Sequence, residues 1–392
     1  MLLIGIDGGA SKISGWNVIF NQKDGTFSLG DTNIVKEYRN YLNFISDFVP
    51  VSLPVQLEEM NSKINLTDDE ILQGSIYIQA CADVITEFAN KYPEDAILVG
   101  IGMPGLKSGD KRGIVALANG PRMPKYAQKV EGILKGRGVN LFSNISVLGS
   151  DADYCGIGEE YSEEGEFRNA GNAYYLGGGT GVADAMKLGG KLMPFDMIKE
   201  WMPKTWEIKS DGGLSMERYT SASGIQYIYS LNSGIALDIL NDSGVFPPQI
   251  LERAISGEVF AIRTLEQVSG NLAHIIFEKI TTLYFGWQDH FEFVNPNKKI
   301  ELKNHAYIGT KLDRIIIGQR LGDLFEQSIN TGFLFDQFND YLSEMINNVD
   351  DIDFKKYYLH ENKFRKELIK ISKLREAPAL GAAIDAYLKN ID

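Results

Sequence analysis

Two apolar segments of this chain each run directly into a glycine-rich turn that also carries a hydroxyl group. Residues 2–6 precede Asp7-Gly8-Gly9-Ala10-Ser11-Lys12, and residues 173–176 precede Gly177-Gly178-Gly179-Thr180-Gly181. Glycine lets the backbone approach phosphate oxygens closely, where backbone N–H groups and hydroxyls act as donors. Paired glycines also occur in hairpins for turn geometry alone, so the pattern leaves both interpretations open. A P-loop is excluded, because the second turn lacks the Gly-Lys-Ser/Thr that a P-loop requires.

The periodicity along the chain alternates between strand and helix patterns, which predicts an α/β fold. Apolar runs predict strands at 2–6, 14–20, 96–101, 145–148, 173–176, 184–188 and 313–317. A capping box at Thr67-Asp68-Asp69-Glu70 predicts a helix to about residue 91. Helical spacing predicts further helices at 125–135, 216–229, 235–240, 248–255, from 258 onward and at 378–389. Residues 21–62 are interpreted as a polar stretch with an irregular loop, and Asp350, Asp351 and Asp353 are placed in another loop.

The charge balance and the cysteines exclude several classes of function. The chain has 39 Lys and Arg against 52 Asp and Glu, a formal net charge of −13. Such a surface repels duplex nucleic acid and anionic lipid, so we expect neither nucleic acid nor a membrane as a partner. Cys81 and Cys155 lie in unlike contexts and cannot build a disulfide framework. No stretch approaches about 20 apolar residues, and no signal-peptide pattern opens the chain, so we expect a cytoplasmic protein.

The segment Gly100-Ile101-Gly102-Met103-Pro104-Gly105 matches the dinucleotide fingerprint G-x-G-x-x-G after a predicted strand. In a nicotinamide site a helix opens at this point, but Pro104 and the glycines after it continue a loop. No acidic residue ends a strand about 20 residues further on, as that fingerprint requires. We therefore reject a nicotinamide site here.

Two carboxylates, Asp151 and Asp153, follow the predicted strand 145–148 and the dipeptide Gly149-Ser150. One interpretation is helix capping, because Ser and Asp are preferred at the N-cap. The other is a general base, because open α/β folds bind ligands at the carboxyl ends of their strands. The two interpretations do not exclude each other. Another strand, 313–317, runs into Gly318-Gln319, a turn on which a nucleoside could stack.

Taken in order, these segments resemble the ROK (repressor, open reading frame, kinase) sugar kinases of the actin-like superfamily. Residues 4–13 (IGIDGGASKI) resemble the family's first phosphate loop, with Ala10 where glycine is usual, and residues 176–181 resemble the second. Residues 100–105 and Ala118-Asn119 resemble its G-x-G-x-P-G turn and the Asn that contacts the sugar. The segments 150–159, 214–221 and 378–383 resemble its catalytic segment, its Glu-x-Tyr-x-Ser helix and its C-terminal helix.

The resemblance implies a two-lobed actin-like ATPase (ribonuclease H-like) fold, each lobe a mixed sheet flanked by helices. The implied N-terminal lobe comprises residues 1–120 plus 376–392, and the C-terminal lobe residues 121–375. The implied activity is ATP-dependent phosphorylation of a hydroxyl of a sugar, amino sugar or close derivative, with Mg²⁺ as a cofactor. A homodimer is compatible with the resemblance.

The resemblance also assigns roles to residues. Asp151 is the expected general base, and Asp7 is expected to hold Mg²⁺ through water. The residues expected to bind ATP and its phosphates are Asp7, Gly8, Gly9, Ser11, Lys12, Gly178, Gly179, Thr180, Gly181, Gly318 and Gln319. The residues expected to contact the sugar are Gly105, Asn119, Asp151, Glu159 and Glu217.

The chain departs from the family pattern in two places. Residues 193–206 lack the usual Gly-His sugar contact, and residues 208–213 lack the cysteines of the zinc loop, so no zinc is expected. These departures favour a second hypothesis, a non-catalytic actin-like sensor that binds a ligand and signals by lobe closure. Family repressors carry an N-terminal helix-turn-helix, whereas the fold here is expected to start at residue 2, so a DNA-binding regulator is not expected. Iron–sulfur activator ATPases of the superfamily need clustered cysteines, which this chain lacks.

Overall fold

The structure is a computed structural model that describes residues 1–60 and 62–391. Its strands are β1 (Leu2–Gly8), β2 (Lys12–Asn21), β3 (Thr26–Glu37), β4 (Ile97–Gly102), β5 (Leu106–Lys107), β6 (Ile114–Ala116), β7 (Leu148–Gly149), β8 (Ala173–Gly178), β9 (Val182–Leu188), β10 (Lys191–Met193), β11 (Ile208–Lys209), β12 (Glu292–Phe293), β13 (Arg314–Gly318), β14 (Leu359–His360), β15 (Lys363–Phe364) and β16 (Ile369–Ile371). Its helices are α1 (Leu53–Met60), α2 (Asp68–Lys91), α3 (Tyr126–Gly136), α4 (Asp151–Tyr161), α5 (Phe195–Ile198), α6 (Glu217–Thr220), α7 (Ala222–Ser233), α8 (Leu237–Asp242), α9 (Pro247–Ile255), α10 (Val259–Phe285), α11 (Gln319–Ser328), α12 (Phe335–Asn347), α13 (Ile352–Tyr358) and α14 (Ala377–Ile391).

The chain divides into two compact units. The first comprises Met1–Glu163 and Glu376–Asp392, and the second comprises Glu164–Arg375. The first unit therefore contains residues 121–163 in addition to the predicted N-terminal lobe, 1–120 plus 376–392. Within the described residues, no helix is both long enough and apolar enough to cross a membrane.

A five-stranded mixed sheet forms the centre of the first unit, with the strand order β3-β2-β1-β4-β7 among the described residues. Strand β1 pairs antiparallel with β2 and parallel with β4, and β4 pairs parallel with β7. Every residue of β4 is buried, because helices cover both faces of a central parallel strand. The capping box predicted at Thr67 is present, since Thr67 and Glu70 bond each other's backbone N–H groups.

Helix α14 packs against this sheet at very short distance. Gly5 of β1 and Gly100 of β4 are cross-strand partners, and they leave room for the helix backbone. A Cβ atom built on Gly5 would lie 1.8 Å from the Ala379 carbonyl oxygen, and one on Gly100 would lie 1.8 Å from that of Ala382. Only glycine fits at either position.

The second unit repeats the sheet topology of the first. Its strand order within the described residues is β10-β9-β8-β13-β16, with β8 antiparallel to β9 and parallel to β13. Both sheets therefore consist of an antiparallel meander followed by parallel strands. The long helix α10 crosses the main apolar cluster of this unit and buries residues along most of its length.

Several local predictions were wrong. Residues 26–37 are a strand of the first sheet rather than part of a polar, irregular stretch, and the apolar residues from 53 belong to α1. The predicted helix 216–229 is two helices, because Ser221 adopts an extended backbone and N-caps α7 through the Gly224 N–H. The predicted strand 145–148 is only Leu148–Gly149. Asp351 N-caps α13 and Asp353 lies in that helix, so these two residues are not in a loop.

Candidate functional site

The carboxyl ends of three parallel strands bring the first group of predicted residues together. Asp7 pairs with Gly102, and Gly102 pairs with Gly149, so β1, β4 and β7 end at the same level of the sheet. Asp151 begins α4 two residues after β7 ends. Ligands of α/β proteins bind at this edge, which makes it the candidate site of the first unit.

The turn between β1 and β2 is closed by one hydrogen bond, from the Gly9 N–H to the Lys12 carbonyl oxygen (2.9 Å). Gly8 has no space for a side chain, because a Cβ there would lie 1.9 Å from the Met103 sulfur. Ser11 and Lys12 are exposed. The turn therefore presents a hydroxyl and an ammonium group next to Asp7, a combination that suits an anion with its counter-ion.

Asp7 is half-buried at the end of β1. Burial, followed by the negative charges of Asp151 and Glu376, raises the pKa of Asp7 to about 7, and the positive charge of Lys12 opposes this shift. A cation beside Asp7 would relieve this repulsion, and Mg²⁺ accepts one or two carboxylates while it keeps several waters. Among the described residues, no three His, Cys, Asp or Glu side chains converge as a metal cage.

The first turn of α4 carries the two candidate carboxylates. Ser150, with extended backbone angles, occupies the N-cap position, so neither Asp151 nor Asp153 is the capping residue. Asp151 is exposed and Asp153 is half-buried. The helix N-terminus favours a negative charge at both positions. The Ser150 side chain makes no capping hydrogen bond, and the Asp151 side chain is exposed to solvent.

The residues predicted to contact the sugar differ in accessibility. Gly105 adopts a positive φ of 86°, and a Cβ there would lie 2.4 Å from the Ala116 carbonyl oxygen. Asn119 is exposed in the turn after β6. Hydrogen bonds of Leu117 and Arg122, on either side of Asn119, hold this turn in place. Glu159 is 0% exposed on α4. The roles of all three residues remain predictions.

The second glycine turn joins β8 and β9 and is closed by the Gly179 N–H, which donates to the Gly181 carbonyl oxygen (2.9 Å). Thr180 is exposed, and its carbonyl oxygen accepts a hydrogen bond from the Ser223 hydroxyl. A Cβ on Gly178 would lie 2.2 Å from the Thr220 carbonyl oxygen. The close approach of α6 thus explains the glycine at 178.

Glu217 lies directly against this second turn. Its Oε1 accepts a hydrogen bond from the Val182 N–H (3.2 Å), and a Cβ on Gly181 would lie 2.9 Å from the same oxygen. The structure therefore places a residue predicted to contact the sugar beside a loop predicted to bind phosphate. The side chain is half-buried, so part of the carboxylate remains accessible.

Gln319 also approaches the second turn. It follows Gly318, which pairs with Gly177 across β13 and β8. Its φ of 57° is left-handed, a conformation that costs energy for a residue with a side chain. A Cβ on Gly179 would lie 2.6 Å from Gln319 Oε1. The side chain predicted to meet the nucleoside is thus aimed at the glycine turn.

Each unit holds one group of predicted residues. The first contains Asp7, Gly8, Gly9, Ser11, Lys12, Gly105, Asn119, Asp151 and Glu159. The second contains Gly178, Gly179, Thr180, Gly181, Glu217, Gly318 and Gln319. Sequence reasoning missed Glu376, whose charge acts on Asp7. It lies immediately before α14, and nothing in its local sequence connects it with the first strand.

Comparisons with known proteins support the fold. No known family profile and no curated protein sequence matches this chain. The ROK-family glucokinase of Streptomyces griseus, solved with glucose and AMPPNP, is 14% identical, with a TM-score of 0.59 over 99% of this chain and 100% of that chain. The ROK hexokinase of Thermus thermophilus is 13% identical, with a TM-score of 0.56 over 99% of both chains. A ROK-family transcriptional regulator, a homologue of the E. coli Mlc protein, is 11% identical, with a TM-score of 0.51 over 98% of this chain and 78% of that chain.

At such low identities these matches show the fold alone. The chain is a mixed α/β protein with two five-stranded sheets within its described residues, each flanked by helices. It has the actin-like fold of the ROK sugar kinases, so the predicted fold class is confirmed. Kinases and a transcriptional regulator share this fold, and function must therefore be argued from the site.

Proposed function

We propose that this protein is an ATP-dependent sugar kinase of the ROK family. It would transfer the γ-phosphoryl group of ATP to a hydroxyl of a sugar, amino sugar or close derivative. The observation that carries the proposal is the placement of Asp151, exposed at the carboxyl edge of the first sheet and close enough to Asp7 to raise its pKa. Solved structures of this fold include a glucokinase with glucose and AMPPNP bound, which supports sugar and nucleotide as ligands.

In this proposal Asp151 accepts the proton of the acceptor hydroxyl. The hydroxyl oxygen then forms a bond to the γ-phosphorus, and the bond from that phosphorus to the bridging oxygen of ADP breaks. Phosphoryl transfer mainly requires positioning and charge neutralisation. The glycine turns at Gly8–Lys12 and Gly178–Gly181 would bind phosphate oxygens, and the Gly318-Gln319 turn would contact the nucleoside. Asn119 and Glu217 would contact the sugar, with Gly105 and Glu159 as further contacts.

Mg²⁺, held by Asp7 through water, would neutralise the charge of the β- and γ-phosphates. Asp7 suits this function because its carboxylate lacks a strong local counter-ion other than Lys12 and is repelled by Asp151 and Glu376. Burial and the same repulsion disfavour the ionised form of Asp7, and a bound cation would favour it. Nucleotide and cation are therefore expected to bind together.

The test is ADP release from Mg·ATP across a panel of sugars and amino sugars. We expect the wild-type protein to turn over at least one of them. The Asp151→Ala variant should lose about 10²–10⁴-fold in kcat while it keeps its affinity for nucleotide, because it lacks only the base. Wild-type turnover in Asp151→Ala would contradict the assignment.

Asp153→Asn is the matched comparison, because it neutralises the second carboxylate of the same helix turn. We expect it to retain most of the turnover, since Asp153 is less exposed than Asp151. Loss of turnover in Asp153→Asn together with full turnover in Asp151→Ala would reassign the base to Asp153.

A second candidate function is a non-catalytic sugar sensor, which the fold match to a ROK-family transcriptional regulator favours. A sensor would be stabilised by its sugar in a thermal-shift measurement and would release no ADP. Stabilisation by Mg·ATP together with ADP release on any sugar would decide for the kinase.

A further inference from the structure

Tyr77, on α2, holds the first glycine turn in place. Its hydroxyl donates a hydrogen bond to the Ala10 carbonyl oxygen at 2.7 Å. The side chain is buried, and this burial raises the pKa of Tyr77 to about 12, so the hydroxyl keeps its proton and remains a donor. Ala10 stands in the middle of the turn that the proposed function assigns to phosphate. Tyr77 is therefore in direct contact with the proposed phosphate loop.

The same hydroxyl also faces the loop that carries Asn119. A Cβ built on Gly120 would lie 3.5 Å from the Tyr77 hydroxyl oxygen. Gly120 directly follows Asn119, so Tyr77 is a neighbour of both the Asn119 loop and the phosphate loop. In the sequence the two loops are about 110 residues apart, and they meet through a third element, in line with the dense packing of protein interiors.

Helix α2 supports the Asn119 loop along one face. Glu70 bonds the buried guanidinium of Arg122 through both carboxylate oxygens, at 2.6 and 2.7 Å. One turn further on, a Cβ on Gly74 would lie 3.1 Å from the Met123 side chain. Glu70, Gly74 and Tyr77 are four and three residues apart, which places them on the same side of the helix.

Helix α1 holds the loop at its other end. Gln56 is 0% exposed and bonds both backbone groups of Leu117. Its Nε2 donates to the Leu117 carbonyl oxygen at 3.1 Å, and its Oε1 accepts from the Leu117 N–H at 2.7 Å. The loop is thus fastened at Leu117 and at Arg122, and Asn119 lies between the two attachments.

We infer that Tyr77 is a positioning residue that connects the phosphate loop with the Asn119 loop through α2, so that nucleotide affinity and sugar affinity depend on each other. The inference rests on the proposed function for the roles of the two loops. It assigns to Tyr77 a part in ligand binding without any contact with ligand. Displacement of Ala10 by the nucleotide would move Tyr77, and Tyr77 would in turn move Gly120.

The structure provides a matched pair of variants for the test. The rings of Tyr38 and Tyr77 stack with centroids 3.7 Å apart and planes inclined by 21°. Both side chains are buried, but the Tyr38 hydroxyl has no hydrogen-bond partner among the described residues. Tyr77→Phe and Tyr38→Phe therefore remove the same atom from the same ring pair, and only the first breaks a hydrogen bond.

Two quantities are measured on the intact chain of 392 residues. One is the Kd of Mg·AMPPNP with and without each sugar of the panel, and the other is hydrogen–deuterium exchange of the free protein. We expect Tyr77→Phe to weaken nucleotide binding about fivefold to tenfold, the usual effect of one lost hydrogen bond. Bound sugar should also change the nucleotide Kd less in this variant than in the wild type. In Tyr77→Phe, exchange should increase in the peptides that cover residues 8–12 and in those that cover residues 117–123. Tyr38→Phe should match the wild type in each measurement.

Two results would overturn the inference. One is a Tyr77→Phe variant with wild-type nucleotide affinity and wild-type exchange in both loops. The other is an equal loss in Tyr77→Phe and Tyr38→Phe, which would assign the effect to ring packing. Failure of the proposed function is separate: a wild type that binds Mg·AMPPNP but releases no ADP contradicts the kinase, while the Kd and exchange comparison still decides about Tyr77.

Discussion

At the scale of single residues, the candidate site is shaped by repulsion among carboxylates. Asp7 is partly removed from water and lies within the electrostatic reach of Asp151 and Glu376, with Lys12 as the opposing charge. Such an arrangement disfavours the ionised form of Asp7 in the free protein. Groups arranged for a ligand often reduce stability in this way, because the missing counter-charge arrives only with the ligand.

The burial of Asp7 and this repulsion together predict how stability depends on pH in the absence of divalent cations. The pKa of Asp7 is about 7 in the folded protein against an ordinary value of 3.8, so the folded state binds the proton more tightly. The contribution of Asp7 to stability therefore falls as the pH rises from about 4 to about 7, and the whole cost remains above pH 7. Asp7→Asn, which removes the charge, should raise the Tm at pH 8 by about 2 °C or more.

The Tm difference between Asp7→Asn and the wild type should shrink towards zero as the pH approaches 4. Thermal unfolding followed by circular dichroism in EDTA measures it. Asp31→Asn is the control, because Asp31 is an exposed carboxylate on β3 of the same sheet. A Tm difference that stays constant across the pH range would show that the ionisation of Asp7 is not its cause.

At the scale of elements, the placement of α14 depends on glycines in the strands and the helix that it contacts. It contacts β1 and β4 through Gly5 and Gly100, and its own Gly381 approaches α4, where a Cβ would lie 1.9 Å from the Tyr154 carbonyl oxygen. Backbone meets backbone at each of these points, so no side-chain rotation can make room for a methyl group. The same close packing brings Glu376, which precedes the helix, towards Asp7.

A methyl group at Gly100 should therefore be costly. In Gly100→Ala the Cβ would lie 1.8 Å from the Ala382 carbonyl oxygen and 2.9 Å from the Ala383 nitrogen, so α14 or β4 must shift. We expect a loss of about 2–4 kcal/mol in the free energy of unfolding, the range of strong overpacking effects. Urea denaturation followed by circular dichroism measures this loss.

Gly132→Ala is the matched control for this substitution. Gly132 lies inside α3, and a Cβ there would have no heavy atom within 4 Å. Alanine in a helix interior stabilises by up to about 1 kcal/mol relative to glycine, so this variant should be neutral or slightly more stable. Equal unfolding curves for Gly100→Ala and the wild type would contradict the described packing of α14.

At the scale of the whole molecule, the first unit is discontinuous in the sequence. Its sheet and helices come from residues 1–163, and its last helix comes from residues 376–392 after the entire second unit. Helix α14 buries Ala377, Pro378, Ala379 and Leu380 in its first turn alone. The first unit therefore cannot be complete until the residues of α14 have been made.

Truncation after Arg375 tests this dependence. Without α14 the faces of β1, β4 and α4 that it covers are exposed, so we expect the first unit to lose its cooperative unfolding transition. Limited proteolysis should then leave a resistant fragment that begins near residue 164. Truncation after Asn390 removes only the end of the helix and should leave the Tm unchanged. A cooperative first unit in the chain that ends at Arg375 would contradict the assignment of α14 to it.

The elements that could be predicted are those whose sequence pattern matches their burial. Strands β1, β4 and β8 are continuous apolar runs because both of their faces are covered. Helix α2 has a capping box and a regular apolar face. Helix α12 is not among the predicted elements, although Phe335, Phe338, Leu342 and Ile346 are buried and have the spacing of one helix face.

Other elements could not be predicted from local pattern. Among the described residues of α1 only Gln56 is buried, so the apolar residues of this helix do not mark its inner face. Gln56 is buried because it bonds the backbone of Leu117, a partner about 60 residues away. Strand β3 alternates irregularly, and its pairing with β2 shifts register between Trp16 and Val18, because a bulge breaks the period of two.

The sequence by itself determined the α/β class, the two glycine turns after buried strands and the chemical types of the candidate residues. Each of these can be read from residues that are neighbours along the chain. Continuous apolar runs indicate buried strands, and glycines mark turns and places where another backbone approaches closely. Only the tertiary structure decided that Glu376 acts on Asp7, that Glu217 touches the second glycine turn, and that Tyr77 meets both Ala10 and Gly120. Those contacts join residues far apart in the chain, and they exist because packed helices and strands bring together side chains that no local pattern relates.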